Sequence, residues 1–485
     1  MKTNKLNTLQ LLLPIIFLFI LITFGLIIGP RLFNSTPIPL EIIFLSAAIF
    51  TAAQLLFLGY EWIDVQNAIV KKITQGFPII LIFFSIGILI GSWMISGTIP
   101  MLVYYGIKII NPEYLYILAF TIPIIFSTLT GTSWGSIATI GVVIMGIATL
   151  ANVDLGITAG AIVGGAYFGD KMSPLSDTTN LASAATGVKL FDHIHSMMYS
   201  TIPSAILAAI GFFSLSFIYP PLEKVDSQLT SQETLNAIEN LFNFNILLIV
   251  PPVIVLIGSI KRKPTVPVMI LSAFAASLLA FIFQDYTFEN IIQTLLKGYN
   301  TTMATWAENI PNNIGTLFNR GGLYALNEAI FFTFMVFIFI GILDEIKTMP
   351  TLVQIVFKNV KKKWQLIISS LVATAATNAL TSNQSATSFI IGDAFKPAYD
   401  KLKVSRKVLS RSIEDYGTMI ETLIPWTAST LFIINTLGVP FADYWHWQLF
   451  SIFNFFMAPL LAITGIGCFY KKQHEQTENN IHEKI

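Results

Sequence analysis

The chain has 485 residues, 54% of them hydrophobic and 11% charged, with 28 Lys and Arg against 27 Asp and Glu. A soluble domain carries about a quarter charged residues, so a soluble multidomain enzyme is excluded, as is a disordered chain, which needs low hydrophobicity and high net charge. A net charge of +1 excludes a nucleic-acid binder working by bulk charge, and a lone Cys468 excludes an intrachain disulfide or a cysteine metal cluster.

A bilayer core takes about 20 apolar residues per helix. The first apolar run, 9–29, follows Lys2 and Lys5 as a signal peptide would. It is longer than a usual signal core and ends at Gly29-Pro30-Arg31 with no small-residue cleavage site, so it reads as a retained span. Runs 40–59 and 76–97 are the next two spans. Between them Glu61, Asp64 and Lys71 mark an amphipathic stretch, expected to be an interfacial helix. Segments 112–145 and 156–187 are rich in Gly, Ser, Thr or Asn, as are 364–395 and 412–438 further on; membrane helices break at such places. Spans 199–219, 241–260, 266–284 and 327–343 lie between the two sets, and 445–469 closes the series. The Asn-rich segment 306–326, flanked by Glu308 and Glu328, is left unassigned.

Charge orients these spans. With the N-terminus inside, 112–145 and 364–395 as re-entrant hairpins, and 156–187 and 412–438 as broken crossings, nearly all Lys and Arg fall on the inner side. Only Arg31, Lys108, Lys224, Lys297 and Arg320 lie outside, and Lys171 lies in the membrane. Single crossings in place of the hairpins would put the basic run 396–411 opposite Lys361–Lys363 and destroy the bias. The expected fold is therefore all-α and polytopic, with about ten spans, two hairpins and both termini inside.

The halves also resemble each other. A shift of 251 residues, without a gap, places Thr130 on Thr381, Gly141 on Gly392, Pro174 on Pro425, Thr179 on Thr430, Gly187 on Gly438 and His195 on His446. Asp170 falls on Glu421, an acid on an acid. Residues 1–225 and 226–485 then form two repeats of opposite topology, a construction many secondary transporters use.

The chemistry-bearing residues sit at the breaks. The hairpin tips read Gly131-Thr132-Ser133-Trp134-Gly135-Ser136 and Ser382-Asn383-Gln384-Ser385. Their hydroxyls and amides, with the free carbonyls of helix ends, suit a dehydrated cation that takes oxygen ligands. In the first broken crossing Gly169 and Pro174 interrupt the helix around Asp170, Lys171, Ser173, Asp177, Thr178, Thr179 and Asn180. An intramembrane carboxylate is costly and marks an ion or proton path. Lys171 is expected to neutralise Asp170, which leaves Asp177 with the greater weight. In the second crossing Glu421 is the deep acid, while Glu414 and Asp415 are expected to pair with Arg411 or Lys407 near the inner surface. His193, His195 and His446 fall at helix ends and read as interfacial.

No phosphate-binding glycine loop, metalloprotease His pair or nucleophile elbow is present. A transporter rather than an enzyme is expected, driven by an ion gradient, with no cofactor. The crossings hold Asp170, Asp177 and Glu421 against Lys171 alone, which favours Na+ or H+ over an organic anion. Protons and Na+ would compete for the same carboxylate oxygens. A receptor or scaffold is the non-transporter alternative, and the buried acids argue against it.

The run Gly164-Gly165-Ala166-Tyr167-Phe168-Gly169-Asp170-Lys171-Met172-Ser173-Pro174-Leu175-Ser176-Asp177-Thr178-Thr179-Asn180-Leu181 resembles the signature of the NhaC family of Na+/H+ antiporters. Gly131–Gly135, residues 408–415 and residues 437–440 resemble it too. The resemblance implies inverted repeats with tip hairpins that move as an elevator. It also implies Na+ and H+ as substrates within the inner membrane bilayer; malate with lactate, or amino acids, are the alternative cargo, and a homodimer is left open. From the residues themselves, the expected charge carriers are Asp170, Asp177 and Glu421. The expected neutral ligands are Ser133, Ser136, Ser173, Thr178, Thr179, Asn180, Asn383, Gln384 and Ser385. Lys171, Glu414 and Asp415 are secondary. Two departures stand out: Asn383 where many members carry an acid, and Glu421 where they carry small polar residues. A charge has moved.

Overall fold

In hydrocarbon every backbone polar group needs a partner within the protein, so helices or closed barrels are the only spanning structures. The computed structural model describes residues 6–221, 235–307, 310, 315, 318–348, 350–351, 360–382 and 384–470. Among them all regular structure is helical; one isolated bridge joins Val404 and Tyr470. Lys2, Lys5, Lys224, Glu308, Lys358, Asn383, Lys471, Lys472 and Lys484 lie outside the described residues.

Eight helices are long and apolar enough to cross a membrane, or up to ten if two bent pairs each count as one span. α1 (Thr8–Phe33) and α2 (Leu40–Phe57) match the first two runs. α3 (Trp62–Ile95) is one 34-residue helix, so the expected separate interfacial helix is instead its first turns. The reason is visible at Lys72, which is buried and pairs with Asp344 at 2.8 Å, at the end of α14 (Asn327–Glu345). α4 (Thr98–Ile109) leads to the first hairpin, α5 (Leu115–Thr130) and α6 (Ser133–Leu150). The first broken helix follows as α7 (Leu155–Met172) and α8 (Asp177–Thr186), then α9 (Leu190–Ile218).

The expected span 241–260 is instead a short α10 (Leu235–Leu241) meeting α11 (Ile246–Ile260) at 96°. Asn245 caps the start of the second segment by accepting from the Leu247 amide at 2.9 Å. α12 (Thr265–Phe283) and α13 (Phe288–Lys297) precede α14. The second hairpin is α15 (Lys363–Thr381) and α16 (Gln384–Lys401). The second broken helix is α17 (406–421), with a π-helical turn at Glu414–Thr418, and α18 (Ala428–Leu437). The last expected span is a pair, α19 (Phe441–Trp447) and α20 (Leu449–Thr464), bent by 51°.

Element boundaries recur at the 251-residue shift. The first hairpin arms end at Thr130 and Thr381, the broken helices start at residues 155 and 406, and their second halves run 177–186 and 428–437. Both second halves end at a left-handed glycine, Gly187 (φ 69°) and Gly438 (φ 74°).

One described part of the segment left unassigned from sequence is a strap across α3. Gly321 and Gly322 (φ 86° and 87°) lay their backbone on Gly87 and Gly91, with the Gly322 amide donating to the Gly87 carbonyl at 2.7 Å. A Cβ on Gly87 would stand 2.3 Å from the Gly322 oxygen, and one on Gly321 would stand 2.3 Å from the Gly91 nitrogen. The positive φ angles also favour glycine.

Candidate ion-binding site

A helix broken inside a membrane leaves carbonyls and amides without partners. Corresponding contacts recur around the two breaks, 251 residues apart. Thr179 Oγ1 donates to the carbonyls of Asp170 (3.2 Å) and Lys171 (3.0 Å); Thr430 Oγ1 lies 3.3 and 3.4 Å from those of Glu421 and Thr422. Ser127 Oγ donates to the Ala166 carbonyl at 2.5 Å, and Asn378 Nδ2 to that of Gly417 at 2.6 Å. Thr130 meets Ser136 at 3.4 Å, and Thr381 meets Thr387 at 3.0 Å, across the two hairpin tips. Each tip also rests on the break of its own half. A Cβ at Gly131 would meet Leu175 Cβ at 2.6 Å, and Ser382 Oγ accepts from the Ala428 amide at 2.9 Å.

Asp170 lies where the first tip and first break meet. It is 7% exposed, and each of its oxygens accepts a hydroxyl: Ser133 to Oδ2 at 2.6 Å and Ser176 to Oδ1 at 2.5 Å. It lines a cavity of about 570 Å³ together with Tyr167, Asp177, Glu421 and Ser429. Arg262 and Lys263, from the loop between α11 and α12, form part of the same wall. Trp134 ties the tip to the second half. Its ring stacks between Phe83 (5.6 Å) and Phe432 (4.7 Å), and its Nε1 donates to Ser429 at 3.3 Å.

Lys171 does not neutralise Asp170. Neighbouring helical residues point about 100° apart, so Lys171 faces away from the cavity. Fully buried, it pairs with Asp415 and donates to Asn454 Oδ1 at 3.0 Å. Asp415 also accepts from Ser200 at 2.8 Å, and Arg411 Nε stands 3.9 Å from its other oxygen, so the expected partnership with Arg411 is present but secondary. Glu414 is fully buried rather than near the surface; Thr418 donates to it at 2.5 Å. No ion pair to Lys407 or Arg411 is formed by Glu414 among the described residues. His193 is also buried rather than interfacial, with Nδ1 2.8 Å from Ser410 Oγ.

The remaining expected residues divide. Asp177 opens α8 and is exposed on the cavity wall, as is Asn180, with the half-buried Thr178 between them on the same wall. Asn180 donates to the Pro174 and Ser176 carbonyls, and Ser173 accepts from the Leu175 amide, so both shape the break. Ser136 donates to the Thr132 carbonyl at 2.7 Å. Gln384, the counterpart of Ser133, donates to the Ile413 carbonyl at 3.1 Å rather than to Glu421, and Ser385 is exposed. Asn383 lies outside the described residues. Asp170, Asp177 and Glu421 share one cavity but do not converge: among the described residues, no group of three His, Cys, Asp or Glu side chains could hold a metal ion. Sequence reasoning did not single out Ser176, whose reach back to Asp170 depends on the turn at Pro174. Nor did it single out Tyr167, Trp134 and Ser429, which chemistry alone does not separate from core residues.

The fold and site define a membrane-integral, all-helical protein whose two broken helices and two helix hairpins surround a buried, hydroxyl-bonded carboxylate. A family model described as the Na+/H+ antiporter family matches residues 165–466, and the chain belongs to that family. It is 38% identical, over 96% of its length and 98% of the relative's, to an "uncharacterized Na(+)/H(+) antiporter" of Haemophilus influenzae. It is 34% identical to the Na+/H+ antiporter NhaC of Alkalihalophilus pseudofirmus, covering 89% of this chain and 90% of that one. It is 30% identical to the malate-2H+/Na+-lactate antiporter of Bacillus subtilis, covering 98% of each. These relationships make it a transporter.

Proposed function

We propose that the protein exchanges Na+ for H+ across the cytoplasmic membrane by alternating access, with Asp170 as the principal exchanging group. The observation that carries this reading is a buried carboxylate holding two serine hydroxyls at the wall of a polar cavity. The Ser133 and Ser176 oxygens have lone pairs to offer a cation, and Na+ and H+ each neutralise the same carboxylate. A site neutralised either way can change sides, whereas a bare carboxylate pays a desolvation cost. Glu421 is a second charge on the far wall, and Asp177 acts at the mouth.

The architecture we propose is a pair of inverted repeats, 1–225 and 226–485, with re-entrant hairpins and both termini inside. The recurring boundaries and the three recurring pairs of hydrogen bonds support the repeat, and the distribution of Lys and Arg supports the inversion. Arg262 and Lys263 lie on the inner side in this topology, so the cavity they line opens inward.

Na+-coupled exchange of a small organic acid is the second reading. It is favoured by a cavity far larger than one cation, with two basic residues on its wall, and by the malate/lactate relative. One assay separates the readings: the protein in liposomes with an internal pH dye, given Na+ with and without malate or lactate. Proton movement on Na+ alone is expected. Movement only with the organic acid establishes the second reading, and none under any gradient overturns both.

A further inference from the structure

Two buried carboxyl and imidazole groups are not used by the site above, and they lie on one seam. His193, Ser196 and Ser200 fall at i, i+3 and i+7 on α9, and so share a face. Opposite them on α17 stand Ser410, Arg411, Glu414, Asp415 and Thr418. Every one of these eight residues is at most 2% exposed. The two faces are stitched by His193 Nδ1 to Ser410 Oγ (2.8 Å), Arg411 to the Ser196 carbonyl (3.3 Å) and Ser200 to Asp415 (2.8 Å).

The stitching is incomplete in a patterned way. Among the described residues, His193 Nε2, Ser196 Oγ, Glu414 Oε1 and Asp415 Oδ2 are buried without a hydrogen-bond partner. Most buried polar atoms in proteins are paired, and those without a protein partner are where a protein holds water. At one end of the seam, Thr418 donates to Glu414 and also lines the large cavity. At the other end, His193 lies in the first turn of α9. That turn borders a separate surface pocket of about 510 Å³ lined by Lys189, Asp192, Arg406 and Lys407.

We propose that this α9–α17 seam is a proton path between the inner surface and the ion site, distinct from the cavity that admits Na+, with His193 at its inner-surface mouth and Glu414 at its deep end. A proton taken up at His193 Nε2 is released from Nδ1 on the other side of the ring, leaving the neutral Nε2–H tautomer, which a ring turn or tautomer exchange resets before the next proton. It passes by Ser410 and by water held at the unpartnered Ser196 Oγ and Glu414 Oε1 to the Glu414 carboxylate, and Thr418 links Glu414 to the cavity. Each group on the route both gives and accepts a proton, which a hydroxyl, a carboxyl and an imidazole can all do. Na+ has no such relay. The charged groups facing Glu414 are Asp170 and Lys171 from α7 and Asp415 on its own helix; Lys171 also faces His193, and Arg411 lies between the two ends.

The inference rests on the Na+/H+ reading, and two transport modes test it in the same proteoliposomes. Na+-driven proton flux needs the seam, whereas exchange of isotopic Na+ for Na+ does not. His193→Gln, which keeps hydrogen bonding but cannot relay, is expected to lower proton flux by about tenfold or more, with Na+/Na+ exchange at the wild-type rate. Glu414→Gln is expected to abolish the proton flux. Proton flux in His193→Gln within about twofold of wild type overturns the path, as does an equal fall in both modes, which marks a structural role. A wild-type protein that exchanges Na+ but moves no protons overturns the Na+/H+ reading itself, and the path with it.

Discussion

In α7–α8 the acid at the break, Asp170, is wrapped by hydroxyls from its own hairpin tip and its own break. In α17–α18 the matching Glu421 reaches the same cavity, but its hairpin's Gln384 turns to the Ile413 carbonyl instead. The helices around the two acids differ as well. α7 is glycine-rich and lies backbone to backbone on α5: a Cβ on Gly165 would sit 2.1 Å from the Phe120 oxygen, and one on Gly169 2.4 Å from the Thr128 nitrogen. α17 carries Arg411, Glu414 and Asp415 in place of that glycine contact, with a π-helical turn at Glu414–Thr418. What both keep is the repair of the broken backbone through Thr179 and Thr430, together with a side-chain tie to a carbonyl inside the helix through Ser127 and Asn378. Backbone satisfaction is the shared requirement of a break at that depth, and the contacts of the acid beside it are free to differ once it is met.

The sharpest test of this division is a matched pair of neutralisations. Asp170→Asn is expected to bring Na+-driven proton flux in liposomes down to background. Glu421→Gln is expected to leave flux measurable, with apparent Na+ affinity weakened about tenfold, roughly 1.4 kcal/mol. Equal losses would erase the distinction between the halves. The next effect is on stability. Lys171→Ala leaves Asp415 buried beside a lost partner, at a cost of about 3–5 kcal/mol, read as a lower unfolding temperature in detergent. The Lys171→Ala, Asp415→Ala double variant should cost less than the sum of the singles, because the two residues are coupled. A smaller change is expected at Ser133→Ala, which removes one hydrogen bond to a charged group, worth about 1.5–3 kcal/mol. Measured as the Na+ concentration for half-maximal flux, that is a rise of about ten- to a hundredfold. Gln384→Ala, its counterpart in the second half, should move that concentration far less.

Much of this was legible in the sequence. Apolar runs located the spans because a bilayer fixes their length, and Gly, Pro and hydroxyl clusters located the breaks. The 251-residue shift identified the positions that share geometry, down to Thr179 and Thr430. Partnerships were harder to read. Lys171 was matched to its sequence neighbour, although adjacent helical residues diverge and its partner lies 244 positions away. His193 and Glu414 read as surface groups because helix ends near basic loops are usually wet; here α9 and α17 bury them against each other. Asp177 drew more weight than Asp170 because it lacked a cation nearby, yet serines rather than cations hold the true buried acid.

The glycine strap has a consequence of a different kind. Gly87, Gly91 and Gly321 meet the opposite segment through main-chain atoms, so a methyl group added at any of them displaces it, while one on Gly322 would run into the Gly298 backbone at 2.2 Å. No one of the four can drift alone, and no side chain elsewhere can compensate, since the contact involves none. Strain introduced at any one of them is therefore passed to the other segment's backbone rather than absorbed by a side chain. The crossing of two segments more than 200 residues apart is thus fixed by bare backbone, and it sets how closely the strap and α3 can approach.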